Sequence, residues 1–138
     1  MSVEAVTSMA KPKITCEMIS WGLYTPWDRE DKALPEIKTF TTTVPAIPGI
    51  EFGYILQINK ARGKRIHFTI EHPPFPDSTG QPTPDFTGLV YVRSNDWQFF
   101  LGDTVWEPVA DKCGPWRLTV ELDGQLMADK TFMIEVAE

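Results

Sequence analysis

The chain has 138 residues, of which 42% are apolar and 23% are charged. This length suits a single hydrophobic core, and the composition excludes a chain that is disordered throughout. Acidic residues outnumber Lys and Arg by 19 to 13, which gives a formal net charge of -6. Because an acidic surface does not attract phosphate backbones or anionic lipids, we expect neither nucleic acid nor a membrane as partner.

The N-terminal residues 1–12 mix small and polar side chains and lack the continuous apolar core of a signal peptide. We therefore expect a flexible segment over 1–12 and a single domain over 13–138. No later apolar run has the length needed to cross a bilayer. These features predict a soluble, cytoplasmic protein, or a periplasmic one if a leader has been removed.

The two cysteines, Cys16 and Cys113, stand far apart in the sequence. Neither belongs to a C-x-x-C pair or has a histidine at metal-ligand spacing. We expect buried free thiols, since unpaired cysteine is among the residues most often buried. A disulfide between the two is the alternative, and it would require an oxidising compartment.

Apolar residues recur with a period of two in short runs, and no long stretch shows the 3.6-residue period of an amphipathic helix. This pattern predicts an all-β fold. Within the run 97–105, Gly102 and Asp103 suggest a bulge or a turn. In chain order, the predicted strands are 13–24, 38–44, 52–59, 65–71, 89–93, 97–105, 116–122 and 130–136.

The last two predicted strands form a hairpin, with Asp-Gly at 123–124 as its turn signal. A two-residue turn without any irregularity would place a polar side chain opposite the inward-facing Trp116. A three-residue loop over 123–125, or else a bulge near 128–130, would instead pair Trp116 with Phe132. We predict the longer loop or the bulge. The residues then expected on the buried face are Phe132, Ile134 and Val136.

Two segments between strands are too long for tight turns. Residues 25–37 are charged and bounded by prolines, and residues 72–88 contain five prolines. Short strands separated by turns and joined by two long crossovers favour an antiparallel sandwich of two sheets with about 7–9 strands.

The sequence carries no recognisable catalytic or metal-binding motif. His67 and His72 begin on opposite faces of one strand, so a shared metal would need a sharp bend at Pro73. Neither a nucleophile elbow nor an H-E-x-x-H motif is present. We expect His72 to cap the strand end by hydrogen bonding to loop backbone, and we predict no cofactor. A hydrolase built on His72 and loop carboxylates is a further alternative.

The basic loop over 59–65 (NKARGKR) superficially resembles a phosphate-binding loop. It departs from that motif because Ile58 stands where the first glycine is needed, five residues before Gly63, and Arg65 replaces the Ser or Thr. The expected role is a solvated turn. The alternative is a basic spot that binds an acidic patch of a partner.

Aromatic residues supply the candidate binding surface. Trp21, Tyr24 and Trp27 lie where the first strand runs into the first long loop, and Phe75 follows His72 in the proline-rich loop. Exposed together, such rings form a platform for a sugar ring or a peptide, because they present rigid faces at little entropic cost. The favoured alternative is that they close the open end of the sandwich. The candidate ligand or partner surface comprises Trp21, Tyr24, Trp27, His72 and Phe75.

The C-terminal third is similar to the last hairpin of many bacterial immunoglobulin-like modules. It combines a G-x-W start at 114–116, the Asp-Gly at 123–124 and a closing strand over 132–136. With the segments 21–24 (WGLY) and 44–53 (VPAIPGIEFG) and the pair His72-Pro73, the whole chain resembles a bacterial family of small proteins described only as a domain of unknown function. The resemblance implies an immunoglobulin-like sandwich and supplies no catalytic residues.

The expected function is a non-catalytic interaction module that binds a protein partner, or forms a homodimer, through loops or an edge strand. The alternative is a carbohydrate-binding module that uses exposed aromatics. Exposure of the rings distinguishes the two, because a buried ring offers no face to a sugar.

Overall fold

The computed structural model describes residues 13–28, 30 and 33–136, so the predicted flexible segment 1–12 lies outside the described residues. In these ranges no helix is long and apolar enough to cross a membrane. The described elements are nine strands and a short 3-10 helix at Ala110–Lys112. The strands are β1 (Thr15–Tyr24), β2 (Ile37–Thr39), β3 (Thr43–Pro45), β4 (Glu51–Asn59), β5 (Arg65–Glu71), β6 (Phe86–Tyr91), β7 (Asp96–Thr104), β8 (Gly114–Leu122) and β9 (Gln125–Glu135).

The strands form two sheets, as predicted. The four-stranded sheet has the order β2-β1-β4-β7, and the five-stranded sheet has the order β3-β9-β8-β5-β6. The sheets are antiparallel except where the three-residue β3 runs parallel to β9 at the edge of the five-stranded sheet. The core lies between the sheets and is built from inward-facing residues of both sheets. Its fully buried side chains include Phe52, Tyr54, Leu56, Ile58, Ile66, Trp116, Leu118, Val120, Phe132 and Ile134.

The β8–β9 hairpin has a two-residue turn, so of the two predicted alternatives the longer loop is absent and the bulge is present. Leu122 pairs with Gln125, and both turn residues have positive φ, as a type I′ turn requires. The predicted bulge is present at Met127, one residue before the expected range, and it places Phe132 opposite Trp116. Phe132 and Ile134 are buried as predicted, whereas Val136 is exposed because it lies beyond the end of β9.

The bulge or turn expected at Gly102 and Asp103 is absent, so this prediction is wrong. β7 runs without a break to Thr104, and Gly102 pairs directly with Gly53 of β4. Two glycines that face each other let the strand backbones approach closely. Gly102 therefore marks close strand pairing and does not form a turn.

A second bulge, at Ile19 in β1, was not predicted. Met18 pairs with Leu56 and Ser20 with Ile55, so Ile19 is the extra residue. Because an extra residue reverses the alternation, the inward face of β1 passes from Cys16 and Met18 to Trp21 and Leu23. Tyr24 consequently lies on the outer face of the four-stranded sheet.

The Tyr54 hydroxyl joins the two sheets, because it donates a 2.8 Å hydrogen bond from β4 to the carbonyl oxygen of Leu118 in β8. The pKa of Tyr54 is raised, mainly because the side chain is buried. A tyrosine in the unfolded chain ionises near pH 10, whereas Tyr54 in the folded protein keeps its proton above that pH. The contribution of the protonated Tyr54 to stability is therefore complete below about pH 10 and is lost as the pH rises further.

We predict that Tyr54→Phe lowers the free energy of unfolding by about 1–2 kcal/mol at neutral pH, since Leu118 loses its donor. Above about pH 10, the stability of the variant should fall less steeply than that of the wild type. Urea unfolding over a pH series measures both effects. Equal pH slopes for the two proteins would contradict the assignment.

Candidate functional site

Trp21 points between the two sheets, at the side where β1 faces β9. Its ring lies 5.0 Å from that of Phe40 in an edge-on contact, and the Nζ atom of Lys130 lies 4.5 Å from its centroid. Lys130 is an inward-facing residue of β9, and the indole face compensates its charge. Trp21 is partly buried and thus helps to close this side of the sandwich.

Tyr24 and Trp27 belong to a second apolar cluster, on the outer face of the four-stranded sheet. Their rings contact Phe100 at 5.0 and 5.2 Å, and Ile55 lies beneath them. The indole nitrogen of Trp27 donates a 3.0 Å hydrogen bond to the carbonyl oxygen of Ala33. Trp27 and Leu34, which lie between β1 and β2, therefore cover part of this outer face.

His72 and Phe75 lie in a third place, where β5 ends. There they form the end cluster, which consists of His72, Phe75, Phe86, Trp106 and Trp116. The His72 ring lies 4.6 Å from the rings of both Phe75 and Phe86. Phe75 is only 6% exposed, so its ring offers no free face.

The predicted capping role of His72 is confirmed. Its Nδ1 atom lies 2.8 Å from the carbonyl oxygen of Pro73, and its Nε2 atom lies 2.9 Å from that of Pro84. Both ring nitrogens are directed at backbone oxygens. The imidazole therefore links the end of β5 to the segment that leads into β6. Neither nitrogen is directed at a carboxylate, as the hydrolase alternative would need.

Lys112 is a buried cation beside the end cluster, only 2% exposed, and no sequence pattern indicated it. Its ammonium donates to Asp111 Oδ1 at 2.6 Å and to Pro108 O at 3.1 Å. It also lies 4.7 Å from the ring centroids of both Phe75 and Trp106. A carboxylate, a carbonyl group and two ring faces together offset the cost of burying this charge.

The five predicted surface residues therefore do not form one platform. Trp21 and Tyr24 stand three residues apart in β1, so alternation turns them to opposite faces of the sheet, and Trp27 packs on the same face as Tyr24. His72 and Phe75 pack in the end cluster against Trp116. Because the rings point in three directions, the geometry does not favour a shared sugar-binding face.

The basic loop lies at the other end of the five-stranded sheet from the end cluster, because β5 begins there. A groove of about 300 Å³ runs between this loop and the β8–β9 turn, and Lys64 spans it with a 2.9 Å ion pair to Asp123. The guanidinium carbon of Arg65 lies 6.0 Å from the ring centroid of Tyr91. Two cations of the loop are thus already engaged within the chain.

Both cysteines are free thiols, as predicted, but each is half-buried and not fully buried. Burial raises the pKa of Cys16, and the Cys113 thiol donates to Val109 O at 3.5 Å. Over residues 13–28, 30 and 33–136, no group of three His, Cys, Asp or Glu side chains is placed to hold a metal ion.

One edge of the five-stranded sheet is β6, which among the described strands pairs with β5 alone. Leu89 and Tyr91 of β6 point outward and are 54% and 62% exposed. Val92 donates to the carbonyl oxygen of Lys64, which makes Tyr91 and Arg65 a non-hydrogen-bonded pair. By alternation, the N–H and C=O groups of Thr87, Leu89 and Tyr91 point away from β5, toward the free edge.

Sequence reasoning predicted a strand at 89–93 but did not identify it as this edge. The available signal was the composition of β6 (FTGLVY), which contains neither a charged residue nor a proline. Natural edge strands usually carry one of these, or a bulge, to prevent pairing with other chains.

The structure is similar to one described as a crystal structure of an immunoglobulin-like protein (PA1606) from Pseudomonas aeruginosa. The TM-score is 0.74 at 20% sequence identity, over 91% of this chain and 99% of that chain. At this identity the similarity shows the fold alone, and it confirms the predicted immunoglobulin-like sandwich.

A second structure, the Pseudomonas fluorescens alkylpurine DNA glycosylase AlkC bound to DNA containing an abasic site analog, matches with a TM-score of 0.44 and 10% identity. The match covers 98% of this chain and 34% of that chain, and its TM-score is too low to carry an argument.

No curated protein sequence matches the chain. A family model, Domain of unknown function (DUF3859), matches residues 12–134. The chain therefore belongs to the DUF3859 family.

Proposed function

We propose that the protein is a non-catalytic interaction module that binds a protein chain along the free edge of β6. The observation that carries this proposal is the combination of outward-facing backbone groups with two exposed apolar side chains, Leu89 and Tyr91. An extended partner strand would pair with the backbone of β6 and cover both side chains.

The other edges of the two sheets are less suited to pairing. β2 and β3 have three residues each, and β3 ends at Pro45. β7 is longer, but it begins at Asp96 and carries Asp103 near its end. β6 has six residues, no charge and no proline, and its register with β5 is unbroken. It is thus the strand on which common forms of edge protection are absent.

The two outer faces also differ. Trp27 and Leu34 cover part of the outer face of the four-stranded sheet. The outer face of the five-stranded sheet presents four apolar side chains that are 41% to 62% exposed, namely Leu89, Tyr91, Leu126 and Met133. Partner binding next to β6 would remove part of this apolar surface from water.

We predict that Leu89→Lys abolishes partner binding and leaves the fold intact, because a charged side chain at an edge opposes strand addition and Leu89 is half exposed. The immobilised full chain is exposed to lysate of its source cells, and retained proteins are identified by mass spectrometry. Amide hydrogen exchange of β6 is then measured with and without the retained protein.

The matched control is Thr131→Lys, on the exposed outer face of the same sheet but in β9. The proposal requires that this control keeps the partner, that Leu89→Lys loses it and that amide exchange at Thr87, Leu89 and Tyr91 slows on binding. A protein retained equally by both variants, or no retained protein together with no self-association, would contradict it.

A further inference from the structure

The free edge of β6 is arranged symmetrically about Leu89. Thr87 and Tyr91 stand two residues before and after it, and all three direct backbone donors and acceptors outward. We propose that two copies of this chain pair β6 with β6, antiparallel, about a two-fold axis at Leu89. The two five-stranded sheets then become one continuous sheet. This inference rests on the proposed use of β6 as a binding edge.

The charges that flank β6 select this register. Asp85 precedes the strand and Arg93 follows it, each four residues from Leu89. A two-fold axis at Leu89 therefore places Asp85 of each copy opposite Arg93 of the other. With the axis moved by one residue, to Gly88 or Val90, these opposite charges no longer face each other.

Asp85 and Arg93 are free to make this contact. Both are exposed, and within the described part of the chain neither forms a salt bridge. Opposite charges directly across an antiparallel pair stabilise it, and like charges destabilise it. Since β6 itself contains no charged residue, the pairing brings no like charges together within the strand.

The same register also accounts for the exposed side chains of β6. Leu89 meets Leu89 of the second copy, and Tyr91 meets Thr87 of the second copy, all on the outer face of the joined sheet. An aromatic side chain opposite a β-branched one stabilises an antiparallel pair, and the contact between the two leucines removes apolar surface from water. The two exposed large hydrophobic residues of the strand, Leu89 and Tyr91, are thereby partly shielded from water.

Sedimentation velocity of the full chain over a range of concentrations tests the proposal. The wild type should form a concentration-dependent dimer. Asp85→Arg and Arg93→Asp should each raise the dissociation constant by about tenfold or more, because symmetry creates two like-charge contacts. The double variant should return toward the wild-type constant, since opposite charges face each other again. Leu89→Lys should be monomeric.

The outcomes separate this inference from the proposed function. A wild type that stays monomeric at every concentration overturns the homodimer, and a double variant no tighter than the single variants overturns the register. If the wild type is monomeric but still captures another protein in a Leu89-dependent way, the interaction module stands without the homodimer. Urea unfolding of each variant verifies that these exposed substitutions leave the domain folded.

Discussion

Trp116→Ala is expected to lower the free energy of unfolding by about 3–5 kcal/mol, the usual cost of truncating a fully buried tryptophan. Trp116 has no exposed surface and packs edge-on against Phe52, with ring centroids 5.7 Å apart. It also supports the end cluster, where His72 lies 5.4 Å away. Its removal leaves a cavity between the sheets that the surrounding strands cannot fill.

Trp116→Phe separates packing from hydrogen bonding. The indole nitrogen donates a 2.8 Å hydrogen bond to the carbonyl oxygen of Lys112, and phenylalanine leaves that oxygen without its partner. We expect this variant to cost about 1–3 kcal/mol, clearly less than alanine. Val136→Ala, at an exposed position beyond β9, should change stability by no more than about 0.5 kcal/mol. Urea unfolding that ranks the three variants differently would contradict this account.

Gly53→Ala is expected to cost about 3–5 kcal/mol, through backbone strain and overpacking together. Gly53 has a φ of 152°, where side chains other than glycine are rarely found. A Cβ atom at this position would overlap the carbonyl oxygen of Leu101 and the Cα atom of Gly102 on β7. Both are backbone atoms within a paired strand, so relief requires the β4–β7 pair to separate.

The matched control for this prediction is Gly49→Ala. Gly49 also has a positive φ, of 93°, but a Cβ atom there would meet no other atom within 4 Å. This variant should cost only about 1–2 kcal/mol, which is the conformational term alone. The difference in thermal or urea stability between the two variants measures the collision with β7. Equal losses would show that no such collision exists.

Most of the strands were predictable because their side chains alternate between core and solvent. β5 was predicted with its observed bounds, and Ile66 and Ile70 are buried as expected. The bulge at Ile19 was not predictable in the same way, since an apolar residue on either face of β1 fits a period-two pattern. That one residue decides where Trp21 and Tyr24 point.

The candidate site was only partly predictable. An interaction through an edge strand was expected in general terms, but the identity of the edge depends on strand order, which local sequence does not determine. The outward direction of Leu89 and Tyr91 likewise depends on the pairing of β6 with β5. The predicted aromatic surface failed to assemble because loop and strand residues that are close in sequence were placed on different faces.

The bulge at Met127 has a consequence for how hairpins of this kind can change in length. The two-residue turn and the single extra residue of β9 together determine that Phe132 lies opposite Trp116. Because Met127 is the unpaired extra residue, its deletion would leave Gln125 opposite Leu122 and Phe132 opposite Trp116. A residue added between Gly124 and Gln125 would lengthen the loop and leave the same pairs in place. Related sequences should therefore be able to lose the bulge or gain a turn residue independently of each other, with Phe132 and Ile134 buried in either case.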